Sequence, residues 1–522
     1  MTALSELGIT LEIGRQVPGE VGMLNTDIVL PSGPGPHPVL LVRTPYGTRN
    51  LLREAIGWAR LGCAAVVQDV RGRFESEGTW HPWHNEGKDG LATLRWIGDQ
   101  PWSDARVIAY GSSYAAHCAL ELAQAHVEPA GVELVGVIAA VPALSLAHTI
   151  REPSGVPRLL AHASWWPQHG ERRTPGAPVL DLAGALDPQL LRHQPISSLP
   201  RRLGVDLRHW QAAWDQPRPP SPTGSPSSPP LLVIAGRHDV YAEAALDLWR
   251  QWRGRSAHLV LGPWHHDLDL TRRAEHSRRA QVSSRAGDFV RDWVAATLHE
   301  SPGTRQAEGG GSPGVPSSRW AAAIDGDNCW RVGTVGPEEL WRPDLIRETD
   351  SRFTADPDDP HPALLGPVDA NEVLDRHDAC TWATPRRRRP LTLIGTPTVR
   401  LQGLQGDPGG VPLDWCVRLL IQTADGAAYQ LGHAAVRTRG SSAVLRLPPL
   451  ADRVSLGDRL LVQVSGHLFP VHPRDPQNGH DPLTATTTRS CTRTVGQVSL
   501  ECPQVRSGTT TATDRTVTGD WL

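Results

Sequence analysis

Residues 107–120 read VIAYGSSYAAHCAL and combine a strand pattern with a helix pattern. The first part, Val107–Tyr110, is a short apolar run with β-branched residues, as in a buried strand. A helical pattern begins at Tyr114, after only three small residues. Such an abrupt change from strand to helix is typical of the turn that carries a nucleophile at the end of a parallel sheet. The stretch therefore predicts an α/β architecture with a reactive side chain in the turn.

Ser113 is the candidate nucleophile in this turn. A tight turn requires small neighbours, and Gly111 lies two residues before the serine and Ala115 two residues after it. The turn also places Ser113 beside the free N–H groups at the start of the helix, where the N–H of Tyr114 can stabilise an oxyanion. The alternatives are an ordinary serine-rich turn and attack by Ser112, which lies one position early for such a turn.

Other parts of the N-terminal half repeat the strand and helix pattern. Continuous apolar runs that predict strands occur at Val39–Val42, Ala64–Gln68, Leu134–Ala140, Leu231–Ala235 and Leu259–Leu261. Helical patterns occur at Leu51–Leu61, Glu86–Asp99, Tyr114–Ala125 and Asp288–Leu298. Apolar strands separated by helices predict a parallel sheet that is covered on both faces. We expect residues 1–145 and 231–300 to form one α/β domain around this sheet.

Three further regions differ from this pattern. Residues 146–230 interrupt it and end in the proline- and serine-rich run PRPPSPTGSPSSPP, which predicts a cap insertion over the site. Residues 301–318 are of low complexity and predict a linker. Residues 319–522 contain short apolar or alternating runs separated by turn residues, so we expect an all-β sandwich or jelly roll there.

The composition argues against several classes of protein. The 522 residues carry a formal net charge of −3, which argues against nucleic acid or an anionic membrane as the main partner. The seven cysteines include no CxxC pair, which favours free thiols in a reducing compartment. No signal peptide and no run of about 18 apolar residues occurs, so we expect a soluble cytoplasmic protein.

Neither a cofactor nor a metal ion is expected. No glycine-rich phosphate loop or dinucleotide fingerprint follows the first strand, so a nucleotide cofactor is disfavoured. His81 and His84, and the run His265-His266-Asp267, could suggest a metal ion. No third cluster of possible ligands lies at a spacing that would complete a metal site. The second group also contains the candidate catalytic base, so its histidines have another explanation.

Two later loops contain the partners that a serine nucleophile requires. Asp239 follows a predicted strand directly, where the acid that orients a histidine is expected. His265 and His266 follow the next predicted strand, and one of them is the candidate base. The order serine, acid, histidine, with each residue after a strand, is that of the α/β-hydrolase fold. This order favours nucleophilic catalysis over an unreactive turn at Ser113.

Six segments spread over nearly the whole chain carry a family resemblance. They are PVLLVRTPYG (38–47), VVQDVRGRFESEGTW (66–80), LRWIGDQPWSDARVIAYGSSY (94–114), LGPWHH (261–266), RPLTLIGTPTVRL (389–401) and LLVQVSGHLFPVHPRDPQNG (460–479). The chain resembles the cocaine-esterase-like serine hydrolases, which are related to X-prolyl dipeptidyl peptidases and α-amino-acid ester hydrolases. The resemblance implies an α/β-hydrolase domain, with a C-terminal β domain that packs on it and helps to wall the site.

The resemblance assigns a role to each matching residue. Ser113 in the GxSY motif corresponds to the nucleophile, and Asp239 corresponds to the acid. The base is His266, the fifth residue of the GPWxH pattern, rather than the histidine before it. Tyr46 in the RTPYG segment corresponds to a tyrosine that donates its hydroxyl to the oxyanion hole, beside the N–H of Tyr114.

Two further expectations concern the surroundings of the site. The segment QDVRGRFESEG predicts a structural turn with a buried ion pair between Asp69 and Arg71. The chain also departs from the family at two places. Ala116 stands where a glycine is usual, and Arg237 and His238 stand where aromatic residues usually precede the acid.

These residues imply hydrolysis of an ester or amide of a small molecule through an acyl-enzyme on Ser113. An ester is slightly preferred, because no acidic residues that would hold the amine of a peptide substrate can be identified. One alternative is an acyltransferase or cyclase, in which an amine or hydroxyl group of a second substrate intercepts the same acyl-enzyme. A non-catalytic binding protein is the third and least favoured interpretation, and homodimer formation stays open.

Overall fold

The computed structural model describes residues 8–125, 131–175, 188–216, 219, 221–268, 286–299, 319–327, 329–334, 339–365, 369–406, 410–505 and 511–512. The predicted linker at 301–318 lies outside these residues. No helix within the described ranges is long and apolar enough to cross a membrane.

An eleven-stranded sheet organises the first part of the chain. Ten of its strands are β1 (Thr10–Pro18), β2 (Met23–Leu30), β3 (His37–Thr44), β4 (Ala64–Asp69), β5 (Ser103–Ser112), β6 (Glu133–Ala140), β7 (Leu231–Gly236), β8 (Ala257–Gly262), β9 (Arg319–Ile324) and β10 (Cys329–Thr334). The order is β1-β2-β4-β3-β5-β6-β7-β8-β9-β10, with Thr511–Ala512 at the far edge. Strands β3 to β9 pair in parallel, whereas β1, β2 and β10 pair antiparallel with their neighbours.

Helices flank both faces of this sheet. The α-helices of the described residues are α1 (Leu52–Arg60), α2 (Glu86–Gly98), α3 (Tyr114–Ala125), α4 (Leu146–Ile150), α5 (Leu159–Trp165), α6 (Leu199–Arg202), α7 (Trp210–Trp214), α8 (Ala242–Gln251), α9 (Ala286–His299) and α10 (Asn371–Leu374). In β5, Val107 and Ala109 join the core that contains residues of α2, α3 and α8, while Ile108 joins the core that contains residues of α1 and α9. The continuous apolar runs therefore arise because the central strands are covered on both faces.

The boundary of the C-terminal β region differs from the sequence prediction. That prediction starts the β region at residue 319, but β9 pairs in parallel with β8, and β10 pairs with β9. Residues 319–334 therefore extend the large sheet. The physical reason is that β8 would otherwise present an unpaired edge, and the small buried residues Ala321, Ala322 and Ala323 of β9 fit between the two helical layers.

The insertion (residues 146–230) contains helices α4 to α7. Its apolar side chains form a separate core in which Trp166, Trp210 and Trp214 are buried. Phe469 and Val471, from the C-terminal β region, belong to the same core. The insertion therefore packs between the α/β part and the β region, and the three tryptophans supply packing volume there.

The C-terminal part is built from antiparallel strands. They are β11 (Glu339–Trp341), β12 (Ile346–Arg347), β13 (Arg352–Ala355), β14 (Ala379–Ala383), β15 (Leu391–Gly395), β16 (Thr398–Gln402), β17 (Leu413–Gln422), β18 (Ala428–Thr438), β19 (Ser442–Arg446), β20 (Leu450–Val454), β21 (Arg459–Ser465), β22 (Cys491–Thr494) and β23 (Gln497–Gln504). One sheet has the order β12-β14-β21-β17-β18, and another has the order β19-β16-β23-β15-β20 with β11 beside β23. Both sheets contribute to one core, with Val399 from one and Val417 from the other.

Candidate active site

Ser113 lies in the turn between β5 and α3. Its backbone φ of +57° is in the left-handed region, which a residue other than glycine adopts only where the surroundings impose it. Its N–H donates to the carbonyl oxygen of Ala140 on β6 at 2.9 Å. A Cβ atom at Gly111 would lie 2.1 Å from the carbonyl carbon of Ala115, so no larger residue fits there. The turn thus holds Ser113 in one fixed conformation at the carboxyl end of the sheet.

Hydrogen bonds join Ser113, His266 and Asp239 in a chain. His266 Nε2 lies 2.9 Å from Ser113 Oγ, and His266 Nδ1 lies 2.9 Å from Asp239 Oδ1. Because a carboxylate only accepts hydrogen bonds, Nδ1 carries the proton and Nε2 can accept the proton of the serine. The Asp239 side chain is buried, while 28% of the His266 side chain is exposed. The His266 imidazole is therefore accessible to a small molecule, whereas the Asp239 carboxyl group is shielded from water.

The loops that carry Asp239 and His266 follow the neighbouring parallel strands β7 and β8. The N–H of Tyr241 donates to Asp239 Oδ1 at 3.1 Å, so this oxygen is shared by the histidine and the loop backbone. The two loops are joined directly, because the N–H of Arg237 donates to the carbonyl oxygen of Gly262 at 2.7 Å. The acid and the base are therefore held by one connected pair of loops.

The two predicted oxyanion donors meet at the same point. The Tyr46 hydroxyl lies 3.4 Å from Ser113 Oγ, and the residue after Ser113 is Tyr114, whose N–H is the other predicted donor. The indole N–H of Trp165 donates to the Tyr46 hydroxyl at 3.1 Å. Burial raises the pKa of Tyr46, although the hydrogen bonds of Ser113, Trp165 and Tyr114 oppose the shift. The phenol therefore keeps its proton at neutral pH and can donate it to an oxyanion.

Comparisons with known proteins identify the kind of enzyme. The model of the X-Pro dipeptidyl-peptidase family (S15) matches residues 22–267. The chain is similar to cocaine esterase from Rhodococcus sp. (strain MB1 Bresler), with 26% identity over 87% of this chain and 90% of that protein. The chain is a serine hydrolase. The resemblance that the six sequence segments imply is thereby confirmed.

Two solved structures share the fold of this serine hydrolase. An aminopeptidase from a marine sediment archaeon, Thaumarchaeota archaeon, superposes with a TM-score of 0.74 at 19% identity and covers 96% of this chain and 97% of that chain. An α-amino acid ester hydrolase superposes with a TM-score of 0.72 at 18% identity, and the shares covered are 95% and 97%. At these identities the likeness concerns the α/β-hydrolase fold and carries no information about the substrate.

The pKa of His266 in the serine hydrolase is raised above its ordinary value. Burial of the ring disfavours the charged form, but the charge and hydrogen bond of Asp239, together with the charge of Asp267, outweigh it. A more basic imidazole is a stronger acceptor for a serine proton. The Tyr241 ring packs edge-on against His266 with 5.0 Å between the ring centroids, which restricts the orientation of the imidazole.

Glu86 supports the site of the serine hydrolase, although the sequence does not mark it. The Tyr114 hydroxyl donates to Glu86 Oε1 at 3.0 Å and accepts from the N–H of Trp83 at 2.6 Å. Glu86 Oε2 lies 3.2 Å from Arg43 Nη1, so the buried carboxylate has a charged partner. These contacts anchor the residue whose N–H is the predicted oxyanion donor. An acidic residue at the start of a helix is ordinary, so no sequence signal distinguishes Glu86.

Trp165 is a second residue near the nucleophile that the motifs do not reveal. Besides bonding to Tyr46, its ring stacks on Tyr114 with 7° between the planes. It also packs against Trp83 with 4.9 Å between the ring centroids. His169 packs edge-on against Tyr46 at 5.1 Å. The insertion of the serine hydrolase therefore places an aromatic wall beside Ser113. The adjacent tryptophans at 165 and 166 are the sequence signal of this wall, but no motif connects them to Ser113.

The predicted ion pair between Asp69 and Arg71 is wrong. Arg71 instead pairs with Asp89 on α2, with 2.6 Å between Nη2 and Oδ1. Asp69 ends β4 and accepts from the N–H of Thr48 at 3.1 Å and from the side chain of Asn25 at 2.9 Å. Burial raises the pKa of Asp69 to about 6. The two residues separate because the turn after β4 directs Arg71 toward α2, while Asp69 stays beneath the loop after β3.

The two departures from the family pattern are accommodated by packing. Ala116 is fully buried in the core that lies between the sheet and α2. The Arg237 side chain is also buried and bonds to Asp325 and Asp452, which lie at the junction with the β region. His238 stacks on His265 with 5.3 Å between the ring centroids. The other candidate base, His265, is thus engaged in this stack.

Potential metal ligands and thiols do not add to this site. Within the described ranges, no group of three or more His, Cys, Asp or Glu side chains is arranged to hold a metal ion. All seven cysteines are free thiols, and five of them are buried.

Proposed function

We propose that this serine hydrolase cleaves a carboxylic ester or amide of a small molecule through an acyl-enzyme on Ser113. The observation that carries the proposal is the hydrogen-bonded chain from Ser113 through His266 to Asp239, with both distances at 2.9 Å. A serine hydroxyl is a weak nucleophile at neutral pH, and a neighbouring histidine is what activates it.

Acylation starts when His266 Nε2 accepts the proton of Ser113 and Oγ attacks the carbonyl carbon of the substrate. The carbonyl oxygen then becomes an oxyanion, to which the Tyr46 hydroxyl and the Tyr114 N–H donate in this scheme. The distance of 3.4 Å between the Tyr46 hydroxyl and Ser113 Oγ supports the role of Tyr46. Asp239 stabilises the imidazolium that forms. When the intermediate collapses, the bond to the alcohol or amine breaks, and that leaving group takes the proton from Nε2.

Deacylation repeats the same steps with water. His266 accepts a proton from a water molecule, whose oxygen attacks the acyl carbon of the Ser113 ester. The oxyanion forms again beside Tyr46 and Tyr114. The bond from the acyl carbon to Ser113 Oγ then breaks, Oγ recovers the proton from Nε2, and the carboxylic acid leaves. No cofactor takes part in either half of this scheme.

An ester is the preferred substrate. A dipeptidyl peptidase has to hold the charged amino end of its substrate, which requires a carboxylate without another partner. Glu152 is the carboxylate bonded to Arg158, which donates to its two oxygens at 3.2 and 3.0 Å. The Arg158 guanidinium itself lies over the Tyr241 ring at 5.6 Å from the centroid. This carboxylate is therefore already neutralised, and the relative that is named a cocaine esterase supports the same preference.

Replacement of the serine tests the proposal. We expect the parent to hydrolyse p-nitrophenyl esters faster than aminoacyl-proline anilides, and Ser113→Ala to lose about 10⁴-fold or more in kcat. A fluorophosphonate probe labels the parent at Ser113, identified by peptide mass spectrometry, and leaves the variant unlabelled. Ser112→Ala is the matched control, because it removes the adjacent hydroxyl and leaves the chain to His266 intact. Retained turnover in Ser113→Ala, or labelling at Ser112, contradicts the mechanism.

The domain organisation and location belong to the same proposal. Residues 1–145 and 231–300 form the hydrolase domain together with β9 and β10, which extend its sheet, and the insertion forms its cap. The segment 301–318, which the sequence predicts as a linker, leads into β9, and the β region begins after β10. A jelly-roll arrangement of that β region is consistent with its two antiparallel sheets around one core. The free thiols support a cytoplasmic location.

A further inference from the structure

The Arg237 side chain joins two separate parts of the chain. Its Nη1 donates to Asp452 Oδ1 and Oδ2 at 2.8 and 2.7 Å, and its Nη2 donates to Asp325 Oδ2 at 2.6 Å. Only 1% of the Arg237 side chain is exposed, and the two carboxylates are equally hidden, at 6% and 1%. Three side chains thus share one buried cluster, in which the Arg237 guanidinium bridges the two carboxyl groups.

The two carboxylates lie where the large sheet meets the C-terminal β region. Asp325 directly follows β9, and Asp452 lies on β20. The backbones are joined as well, because the N–H of Asp325 donates to the carbonyl oxygen of Ala451 at 2.8 Å, and the N–H of Arg453 donates to that of Asp325 at 2.9 Å. Backbone hydrogen bonds therefore hold the segments that carry Asp325 and Asp452 together at this junction.

Arg237 itself belongs to the loop 237–239, which follows β7 and ends in Asp239 and which we call the acid loop. The N–H of Arg237 donates to the carbonyl oxygen of Gly262 at 2.7 Å, and the N–H of His238 donates to that of Trp264 at 3.0 Å. Both acceptors lie on the segment that leads to His266. Any movement of Arg237 would therefore shift the acid loop relative to the segment that carries the base.

We propose that Arg237 is a positioning residue, whose ion pairs with Asp325 and Asp452 hold Asp239 in line with His266, so that turnover depends on docking of the C-terminal β region. The inference rests on the proposed function. A positioning role differs measurably from a purely structural one. Loosening the acid loop weakens the hydrogen bond between Asp239 and His266 while the protein is still folded, so turnover changes without unfolding. The Arg237 side chain is only 1% exposed and thus inaccessible to a substrate, so we expect kcat to fall while KM stays nearly constant.

The test replaces the whole cluster by neutral side chains. Arg237→Met alone removes the guanidinium that bridges two buried carboxyl groups and endangers the fold, so the main variant combines it with Asp325→Asn and Asp452→Asn. Removing all the charges of a buried cluster together is usually tolerated. We expect a folded protein with kcat lowered about 10-fold or more. Arg237→Lys, which keeps one cation in the cluster, recovers part of this loss.

The pH profile supplies an independent readout. Asp239, Asp267, the Tyr241 ring and Ser113 face His266 in the structure. Of these, only the contact with Asp239 is loosened in the triple variant. The pKa of His266 therefore falls toward its ordinary value, and the acidic limb of the kcat/KM profile moves to lower pH. A folded triple variant with the parent's kcat and pH profile overturns the proposal.

Arg453→Met combined with Asp327→Asn is the matched control. This pair spans the same junction, with 2.6 Å between Nη1 and Oδ1, but its side chains are 33% and 22% exposed. We expect it to keep the parent kcat. A loss of kcat equal to that of the triple variant would mean that any weakening of the junction has this effect, which overturns the specific role of Arg237.

A proton NMR signal separates this inference from the proposed function. A histidine N–H that is bonded to a buried carboxylate gives a strongly downfield resonance, which requires no substrate. We expect the resonance in the parent and in Ser113→Ala, and its loss or broadening in the triple variant. If no ester or amide is hydrolysed, the proposed function fails while this signal still decides the role of Arg237. An unchanged signal in the triple variant overturns that role even if hydrolysis is confirmed.

Discussion

The Tyr46 hydroxyl lies 3.4 Å from Ser113 Oγ, although the two residues are 67 positions apart in the sequence. Tyr46 follows β3 and Ser113 follows β5, and these strands are parallel neighbours in the sheet. The carboxyl ends of parallel neighbours meet at one edge, so the loops after them come into contact. The adjacency of β3 and β5 therefore places Tyr46, the proposed oxyanion donor, beside Ser113, the proposed nucleophile.

Tyr46→Phe is expected to lower kcat by about 10²-fold, because one of two donors to the oxyanion is lost. KM should change little, since the hydroxyl acts on charge that develops only in the transition state. Steady-state kinetics on a p-nitrophenyl ester measures both. Tyr429→Phe, at a tyrosine in the core of the C-terminal β region, is the control and should keep the parent kcat. Equal kcat values for Tyr46→Phe and the parent would remove Tyr46 from the mechanism.

Trp165→Phe is expected to lower kcat by a smaller factor, about 3- to 10-fold, which corresponds to one hydrogen bond. The indole N–H donates to the Tyr46 hydroxyl at 3.1 Å and so orients the hydroxyl proton toward Ser113. The effect should vanish when Tyr46 is already phenylalanine, and a double-mutant cycle measures this coupling. Additive losses in the two variants would show that Trp165 acts through the aromatic wall instead.

The pH dependence of turnover should report the contact between Asp239 and His266. His266 has to be neutral to accept the serine proton, and its pKa is raised, so kcat/KM of the parent falls as pH drops through a value above the ordinary histidine pKa of about 6.5. Asp239→Asn removes the carboxylate charge and lowers the pKa of His266. We expect the acidic limb to move to lower pH, together with a loss of kcat of about 10³- to 10⁴-fold.

Asp267→Asn is the control for that profile. Asp267 also raises the pKa of His266, but only through its charge. We expect the acidic limb to move only slightly to lower pH, because the charge of Asp267 raises the pKa of His266 less than Asp239 does. We expect kcat to stay within about twofold of the parent value, which corresponds to well under the roughly 1.4 kcal/mol of one pKa unit. A loss of kcat as large as that of Asp239→Asn would contradict the assignment of Asp239 as the orienting acid.

Two glycine substitutions should affect stability in opposite directions. A Cβ at Gly111 would lie 2.1 Å from the carbonyl carbon of Ala115, so Gly111→Ala should lower the free energy of unfolding by about 1–3 kcal/mol and displace Ser113. Gly57 is exposed on α1, and a Cβ added there would meet no atom within 4 Å, so Gly57→Ala should raise that free energy by about 0.5–1 kcal/mol. Urea unfolding measures both changes, and a stable, active Gly111→Ala variant would contradict the tight turn.

The sequence predicts much of the hydrolase core because the signals there are local. Ser113, Asp239 and His266 each follow an apolar run, and in the structure each lies just beyond a parallel strand. The boundary at residue 319 could not be predicted in this way. The run at β9 reads as a strand in either sheet, and only the free edge of β8 determines which sheet it joins.

Contacts between distant segments are what the motifs do not reveal. Glu86 reaches Tyr114, and Trp165 reaches Tyr46, across 28 and 119 positions. The expected pair of Asp69 and Arg71 failed for the same reason, because proximity in sequence does not determine which way two side chains point after a turn. Arg71 bonds to Asp89 instead.

The strand–turn–helix stretch around Ser113, the order of the candidate acid and base, and the alternation of strands and helices can all be read from the amino-acid sequence. These features follow from local periodicity and from the small residues that a tight turn requires. The bond from Trp165 to Tyr46, the bridge from Arg237 to Asp325 and Asp452, and the place of β9 in the large sheet are visible only in the folded chain. Such contacts depend on how whole elements pack, and packing selects among partners that are equally compatible with the local sequence.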